Sequence, residues 1–497
     1  MRFKHWAMAL GMVSAALLSA CGSNTSSTSV RLLNASVGYP GAMSVSVNNG
    51  SAFGNVAYGA ASSYQSVNVG ATNSQIVSNG VTILNRTPTL VANSNYAMIV
   101  YGKSGNPNIS LLQENQTAPA TGYASFLVLN LAQDAGPVDV YLSPAVTTPS
   151  GLGGATPVSG LSPTASNIGV TYGSGYNSVS TGSSSTSYEV RITGYNNKTD
   201  LRLDIPSVSL SSGQVYTLIL TGSPSGVLVN GMLVQQQSTV TPYTSTSIRA
   251  RLIMALNATM EAFNATLTAG TTTPTTTYLL GSSTSNGTTT SNVAISPTVG
   301  DYYTILDGTN AKASISVQSA SSAGTNLATL TTAGLPATAN NLPATPVPGT
   351  DYTLLVWGSP SNPQLTVLTD DNTYPIATGY ANMRVVNGAN GFPGGVTLSA
   401  NYTQVVGNVL SGTQSANFAV PYDTTPGAFL QVSTASSSQP IAIFGGSNSN
   451  PAVPLNAGAN YIVYVLGDGS WTNNGSVVTA PCTTCTPNFT IVPVQLR

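Results

Sequence analysis

YAMIVYGKSGNPNISLLQENQTAPATGYASFLVLN, residues 96–130, returns 256 positions later as YTLLVWGSPSNPQLTVLTDDNTYPIATGYANMRVVN, residues 352–387. Each copy reads as an apolar strand, a Gly/Pro/Asn turn, a returning strand, a polar loop ending in Ala-Thr-Gly-Tyr-Ala, and a third strand closed by Asn. Short alternating strands split by turn residues predict an antiparallel β-sandwich rather than a βαβ fold. The chain reads as a duplicated module.

Working outward, weaker echoes of the same pattern appear. Opening strands that end in Asn recur at Asn34, Asn130, Asn257 and Asn387, and a Tyr-bearing strand recurs at Tyr96, Tyr216, Tyr352 and Tyr461. Three of the latter have a glycine just upstream, at Gly213, Gly349 and Gly458. Alternating strands follow the openings at Met43–Val47, Val138–Leu142, Phe263–Leu267 and Val396–Ser399. The fold expected is all-β: tandem immunoglobulin-like antiparallel β-sandwich units over 30–122, 123–246, 247–379 and 380–497, preceded by a signal-peptide helix. The long repeat groups them as two pairs. Asn at a strand end bonds local backbone and tolerates left-handed turns, so the recurring Asn reads as structural. The Tyr stripe reads as core rings with hydroxyls satisfied at the rim. Pro144–Ser166, Thr271–Ser291 and Ala320–Pro348 are rich in Thr, Ser, Ala, Pro or Gly and read as loops or linkers. Met254–Ala265 is the one helix candidate after the N-terminus, and its place in the repeat favours strands.

Charged residues make up 5% of the 497-residue chain, with mean hydropathy +0.14, against roughly 25% charged in a typical soluble protein. The polar surface must therefore consist of hydroxyls and amides. The 23 tyrosines and the regular Val/Ile/Leu alternation argue for folding rather than disorder. With no basic patch, nucleic-acid binding by counterion release has no foundation.

The N-terminus carries an address. Arg2 and Lys4 form a positive n-region, and Trp6–Leu18 is an apolar run too short to span a bilayer comfortably. Leu18-Ser19-Ala20-Cys21 resembles the lipobox of bacterial lipoproteins. That resemblance implies cleavage after residue 20 and a Cys21 carrying a diacylglycerol thioether plus N-acyl chain, palmitate-like lipids that anchor together where one chain would not. Gly22-Ser23, with no Asp after Cys21, resembles the outer-membrane sorting form. Residues 21–29 read as lipidated Cys and flexible tether. Cys482 and Cys485, in PCTTCTPN, form a disulfide candidate, because an exported chain oxidises such pairs and one Cys-x-x-Cys is half a zinc site.

Val30-Arg-Leu-Leu-Asn-Ala-Ser36, Asn55-Val-Ala-Tyr58-Gly59 with Tyr64 beyond it, and Pro137-Val-Asp-Val-Tyr-Leu142 resemble the bacterial domain of unknown function 4397 (DUF4397). The matching features are an R-h-h-[NH]-A-S strand, a P-h-x-V-h-h strand and a Y-G…Y segment. Unit three departs from the pattern, since Asn292-Val-Ala-Ile295 lacks the Tyr-Gly pair. The family implies an exported, often lipid-anchored β-sandwich, with no activity to carry over.

The single histidine, His5, lies in the signal peptide. Ser-His-Asp and Cys-His nucleophiles and His-bearing metal sites are therefore excluded from the mature chain. The acids are three Glu and eleven Asp. Glu114, Asp370 and Asp371 sit in equivalent repeat loops and are weak calcium candidates, short of the six to eight oxygens such a site needs. No cofactor motif is present. The expectation is a non-catalytic, lipid-anchored outer-membrane protein, periplasmic or surface-exposed, with a binding or spacing role. Its partners would be the membrane, through lipid on Cys21, and a glycan, peptidoglycan or protein. The alternative is a carboxylate-dependent glycan-active enzyme using Asp370 or Asp371 with a second acid.

Overall fold

The computed structural model describes residues 26–145, 160–256, 262–269, 276–283, 297–306, 308, 311–318, 326–331, 347–359, 361–435, 440–445, 450–473, 476–478 and 486–496. The signal peptide, Cys21, Cys482, Cys485, Asn257 and Asn292–Ile295 lie outside these residues. The chain forms two compact units, Met1–Thr117 with Gln236–Val240, and Ala118–Gln235 with Thr241–Arg497. The first holds one β-sandwich and the second holds three, and each of the four modules has its own hydrophobic core.

In the first module one sheet runs Asn106–Gln113, Asn95–Lys103, Ser27–Ala35, Gln65–Asn68, and faces a sheet of Phe53–Val56, Met43–Val47, Ser74–Ser78 and Val81–Arg86. The opening strand starts at Ser27, inside the expected tether. Thr28 is buried there and donates from Oγ1 to Ser94 O at 2.7 Å, which holds the strand start in the sheet.

Among the described strands the plan recurs with one parallel strand pairing in each otherwise antiparallel sandwich. Every opening strand lies parallel to the Tyr strand of its module, in the registers Val30↔Tyr96, Phe126↔Tyr216, Ala250↔Tyr352 and Met383↔Tyr461. That register defines equivalent positions and corrects one expectation. Asn34, Asn130 and Asn387 face Val100, Leu220 and Val465, but in the third module Met254 faces Val356. Met254 therefore occupies the Asn position there, and Asn257 lies outside the described residues. The three in-register asparagines are fully buried. Asn34 Nδ2 donates to Tyr39 O at 3.0 Å, Asn130 Nδ2 to Gly136 O at 2.9 Å and Asn387 Nδ2 to Val409 O at 2.8 Å. Each Oδ1 accepts the amide two residues on, from Ser36, Ala132 and Ala389. The recurring Asn thus ties the strand end to the facing sheet, satisfying backbone groups that burial would otherwise orphan.

The four tyrosines are core residues whose hydroxyls accept the amide five residues upstream. Val91 N lies 3.4 Å from Tyr96 OH, Ser211 N 3.1 Å from Tyr216 OH, Val347 N 2.9 Å from Tyr352 OH, and Asn456 N 2.9 Å from Tyr461 OH. The hairpin between requires a left-handed residue three before each Tyr. Gly213, Gly349 and Gly458 supply it at φ 75°, 77° and 79°, and Asn93 at 56° completes the set.

Strands of the third and fourth modules are buried on both faces, hence their unbroken apolar runs. Ile248, Ala250, Leu252, Tyr352 and Leu354 face one core, while Met383, Val385, Tyr461 and Val463 face another. The alternate residues Ile253, Leu355, Val386, Ile462 and Tyr464 meet in a separate cluster that welds the two mixed sheets back to back. Two stretches expected to be loop hold strands. Thr276–Ser283 pairs with Ala262–Ala269, and Asn326–Thr331 with Lys312–Gln318. β-branched Thr favours the pleated conformation, so a Thr-rich composition alone does not mark a linker.

Candidate functional site

The sequence offers few charged side chains, and the structure gathers them. In the first module Arg31 points away from the core and meets Glu114, which follows the return strand. Arg31 Nε donates to Glu114 Oε2 at 2.9 Å while Nη2 donates to Oε1, a bidentate pair with 3% and 2% exposure. Tyr64 donates its hydroxyl to the same carboxylate, and the guanidinium stands 5.1 Å from the Tyr64 ring centre. Gln237 closes the group, donating from its amide to Oε1 at 3.2 Å, and Arg31 Nη1 donates to Ser238 O at 2.6 Å. Burial first, and then the hydrogen bond and negative charge of Glu114, push the Tyr64 phenol well above its ordinary value, so it stays a donor.

The third module repeats this triad at the equivalent positions. Arg251 stands where Arg31 does, and Asp370 where Glu114 does, each acid following the residue paired to the core Tyr. Tyr302 stands for Tyr64, one residue before the strand partner of the opening strand. Tyr302 OH donates to Asp370 Oδ2 at 2.5 Å, and Arg251 lies 4.4 Å from the Tyr302 ring centre. Arg251 Nη2 sits 3.6 Å from Asp370 Oδ2, its Nε donates to Thr353 Oγ1 at 2.8 Å, and Thr353 Oγ1 donates on to Asp370. The fourth module adds a second cation to this carboxylate. Arg384 Nη2 donates to Asp370 Oδ1 at 3.2 Å and to Asn372 Oδ1 at 2.9 Å, and Arg251 Nη1 donates to Tyr464 OH at 2.6 Å. Burial opposes the charge on Arg251, but Tyr302, Tyr464 and Asp370 outweigh it and raise its pKa. Burial pushes the Tyr302 and Tyr464 phenols up, against the lowering effect of Arg251.

Both buried acids proposed from the sequence thus have their oxygens filled by arginine and hydroxyl donors. Asp371, one residue beyond Asp370, is exposed and caps a turn, accepting from Thr373 N at 3.0 Å and Thr373 Oγ1 at 2.7 Å. Among the described residues no three His, Cys, Asp or Glu group to hold a metal. Cys21, Cys482 and Cys485 fall outside the described residues. Sequence reasoning missed the triads' arginines and tyrosines. The usable signal was register: Glu114 and Asp370 stand at the same distance from Tyr96 and Tyr352.

Residues 28–141 match the family model of the domain of unknown function DUF4397. The resemblance read from Arg31, Asn34, Tyr64 and Pro137–Leu142 agrees with that match, and in the structure Arg31 and Tyr64 belong to the triad, Asn34 is the buried strand-end Asn and Val138–Pro144 is a core strand. No curated protein matches the chain. Among solved structures, a candidate cell adhesion protein from Bacteroides uniformis is similar at 10% identity and TM-score 0.22, over 51% of this chain and 100% of its own. The Bacillus anthracis TIE protein is similar at 10% identity and TM-score 0.14, over 88% of this chain and 68% of its own. Neither likeness is close enough to carry an argument about this chain.

A second polar group lies on the outer face of the second module, where Val138–Pro144, Ser185–Gly194 and Asn197–Ser211 pair. Ser143 Oγ donates to Glu189 Oε2 at 3.2 Å and accepts from Arg191 Nη2 at 3.0 Å, and Arg191 lies 3.5 Å from Glu189. Asp204 stands beside them. Burial, and then the Glu189 charge, push its carboxyl up to about 7, with Arg191 pulling the other way.

Proposed function

We propose that this is a non-catalytic cell-envelope protein, lipid-anchored through Cys21 at the outer membrane, whose tandem β-sandwiches serve binding or spacing. One observation carries the reading. Two of the acids singled out from the sequence, Glu114 and Asp370, are 2% and 0% exposed and tied to arginines, where no substrate atom can reach them. A catalytic carboxylate must lie within hydrogen-bond reach of the proton it moves. The DUF4397 match and the hydroxyl- and amide-rich surface support the same reading.

The experiment is an epitope tag after Arg497, with antibody labelling and protease shaving of cells before and after permeabilisation, in wild type and Cys21→Ala. The wild type should fractionate with the outer membrane and incorporate radiolabelled palmitate, and Cys21→Ala should do neither. Labelling of intact cells would point to an extracellular partner, and labelling only after permeabilisation to a periplasmic one such as peptidoglycan. A Cys21→Ala protein that remains membrane-bound, or turnover of a glycan by the purified chain, would overturn the proposal.

A further inference from the structure

A two-residue turn, Asn401–Tyr402, joins Val396–Ala400 to Thr403–Val409, with Ala400 paired to Thr403. Both turn residues have positive φ, 47° and 66°. That is the geometry in which hairpins prefer Asn followed by Gly. Asn401 fits. Tyr402 does not, because its Cβ disfavours a left-handed backbone, and among the described residues it is the one aromatic with positive φ. Burial offers little compensation, since Tyr402 is 79% exposed. The ring is nevertheless held in place, stacked on Phe429 with centroids 4.5 Å apart and planes at 22°.

The first module carries the same turn without the aromatics. Asn48 and Asn49 follow Met43–Val47 at φ 52° and 57°. Asn48 N donates to Asn73 O at 2.7 Å, and its Oδ1 accepts from Asn73 N at 3.0 Å. In the fourth module Asn401 N donates to Phe429 O at 2.8 Å, and its Oδ1 accepts from Phe429 N at 2.9 Å. The scaffolds agree hydrogen bond for hydrogen bond, so Tyr402 stands for Asn49 and Phe429 for Asn73. Asn at both places builds the turn with less backbone strain. The exchange to two stacked rings therefore answers to something other than folding, and strained, exposed residues are where function is sought.

We propose that Tyr402, backed by Phe429, is a stacking platform for one ring of a neutral carbohydrate, which deepens and rests on the binding role proposed above. A single aromatic face matches a single pyranose. It is far smaller than the roughly 1,200 Å² at the low end of stable protein interfaces. Tyrosine supplies rigid amphipathic contact at small entropic cost. The exposed neighbours Asn401, Thr403 and Gln404 offer amide and hydroxyl groups that both donate and accept, as sugar hydroxyls require. From Val396 to Asn417 the sequence has no charged residue, so an anionic ligand would find no counter-charge on this hairpin.

The test is mobility of the detergent-solubilised full-length protein in native gels carrying dextran, mannan, xyloglucan or β-1,3-glucan. At least one polymer should retard the wild type. Retardation should weaken at least tenfold in Tyr402→Ala, persist in Tyr402→Trp, and be unchanged in Asn49→Gly, with all variants melting as the wild type does. Absence of retardation by all four polymers overturns the platform. So does equal retardation of Tyr402→Ala, although a glycan-binding role elsewhere on the protein would then survive. Failure of the Cys21 experiments, by contrast, would remove the envelope assignment and leave the platform untouched.

Discussion

Asp370→Asn keeps the shape of the side chain and removes its charge from beneath two guanidiniums. Arg251 and Arg384 are each 2% exposed and Asp370 is wholly buried, so water cannot take over the missing charge. Around the seam Arg249, Arg251 and Arg384 face two acids, Asp351 and Asp370, and the substitution leaves three cations against one acid. Removing one partner of a buried ion pair costs about 3–5 kcal/mol. At about 2 °C per kcal/mol, fitting for a unit of this size, the melting transition of the second compact unit should fall by about 6–10 °C. Calorimetry should show the shift confined to one transition. Asp371→Asn, one residue away and exposed, should stay within about 0.5 kcal/mol of the wild type. Adding Arg384→Met to Asp370→Asn should recover part of the loss, because the second change deletes a stranded charge. A fall under about 2 °C for Asp370→Asn, or equal falls for both aspartates, would show that the triad is not what holds the seam.

Three other outcomes follow from the packing. Asp204 is raised from 3.8 to about 7 in the folded state, so between those values the native chain holds a proton that the unfolded chain releases. Stability from this group should be full below about pH 4 and lost as the pH rises through about 7; Asp204→Asn should flatten the dependence of Tm on pH across that window, and an unchanged slope would exclude Asp204 as its source. Gly412 has φ +76°, and a Cβ there would lie 2.4 Å from Trp357 Cε2, so Gly412→Ala should destabilise by about 1–3 kcal/mol in urea unfolding. Asn387→Ala strands the buried Val409 carbonyl and Ala389 amide and should cost about 1–3 kcal/mol by the same assay.

Much of this architecture was readable because strand periodicity reports faces directly. Met43–Val47, with its strict alternation, is a strand over the expected residues with Met43, Val45 and Val47 buried. Periodicity says nothing about which strand is the neighbour or in which sense it runs, so the parallel pairing of Val30 with Tyr96 could not be read from it. The third module's counterpart of the strand-end Asn is hidden for a related reason: the apolar run Leu252–Leu256 fits the motif in more than one register, and only pairing with Leu354 and Val356 places Met254 there. The triads were hidden by separation. Arg31 and Glu114 lie 83 residues apart, and Arg251 reaches a tyrosine 213 residues away. Glu114 and Asp370 stand out in the sequence only as acids in polar loops, where solvated turns are the ordinary reading and calcium a weak alternative. Their partners Arg31 and Arg251 lie on strands distant in sequence.

The start and end of each module lie side by side, since the opening strand pairs with the Tyr strand and the Tyr strand with the return. Arg31 touches Glu114, and Arg251 touches Asp370, across nearly a whole module of chain. A segment whose two ends meet can be copied into a gene without stretching the protein that receives it. The third and fourth modules, however, are not independent currency for such copying. Arg384 would be stranded without the acid that its predecessor provides. The smallest heritable copy that keeps this charge matched is therefore the pair, in keeping with a repeat of 256 residues rather than half that length.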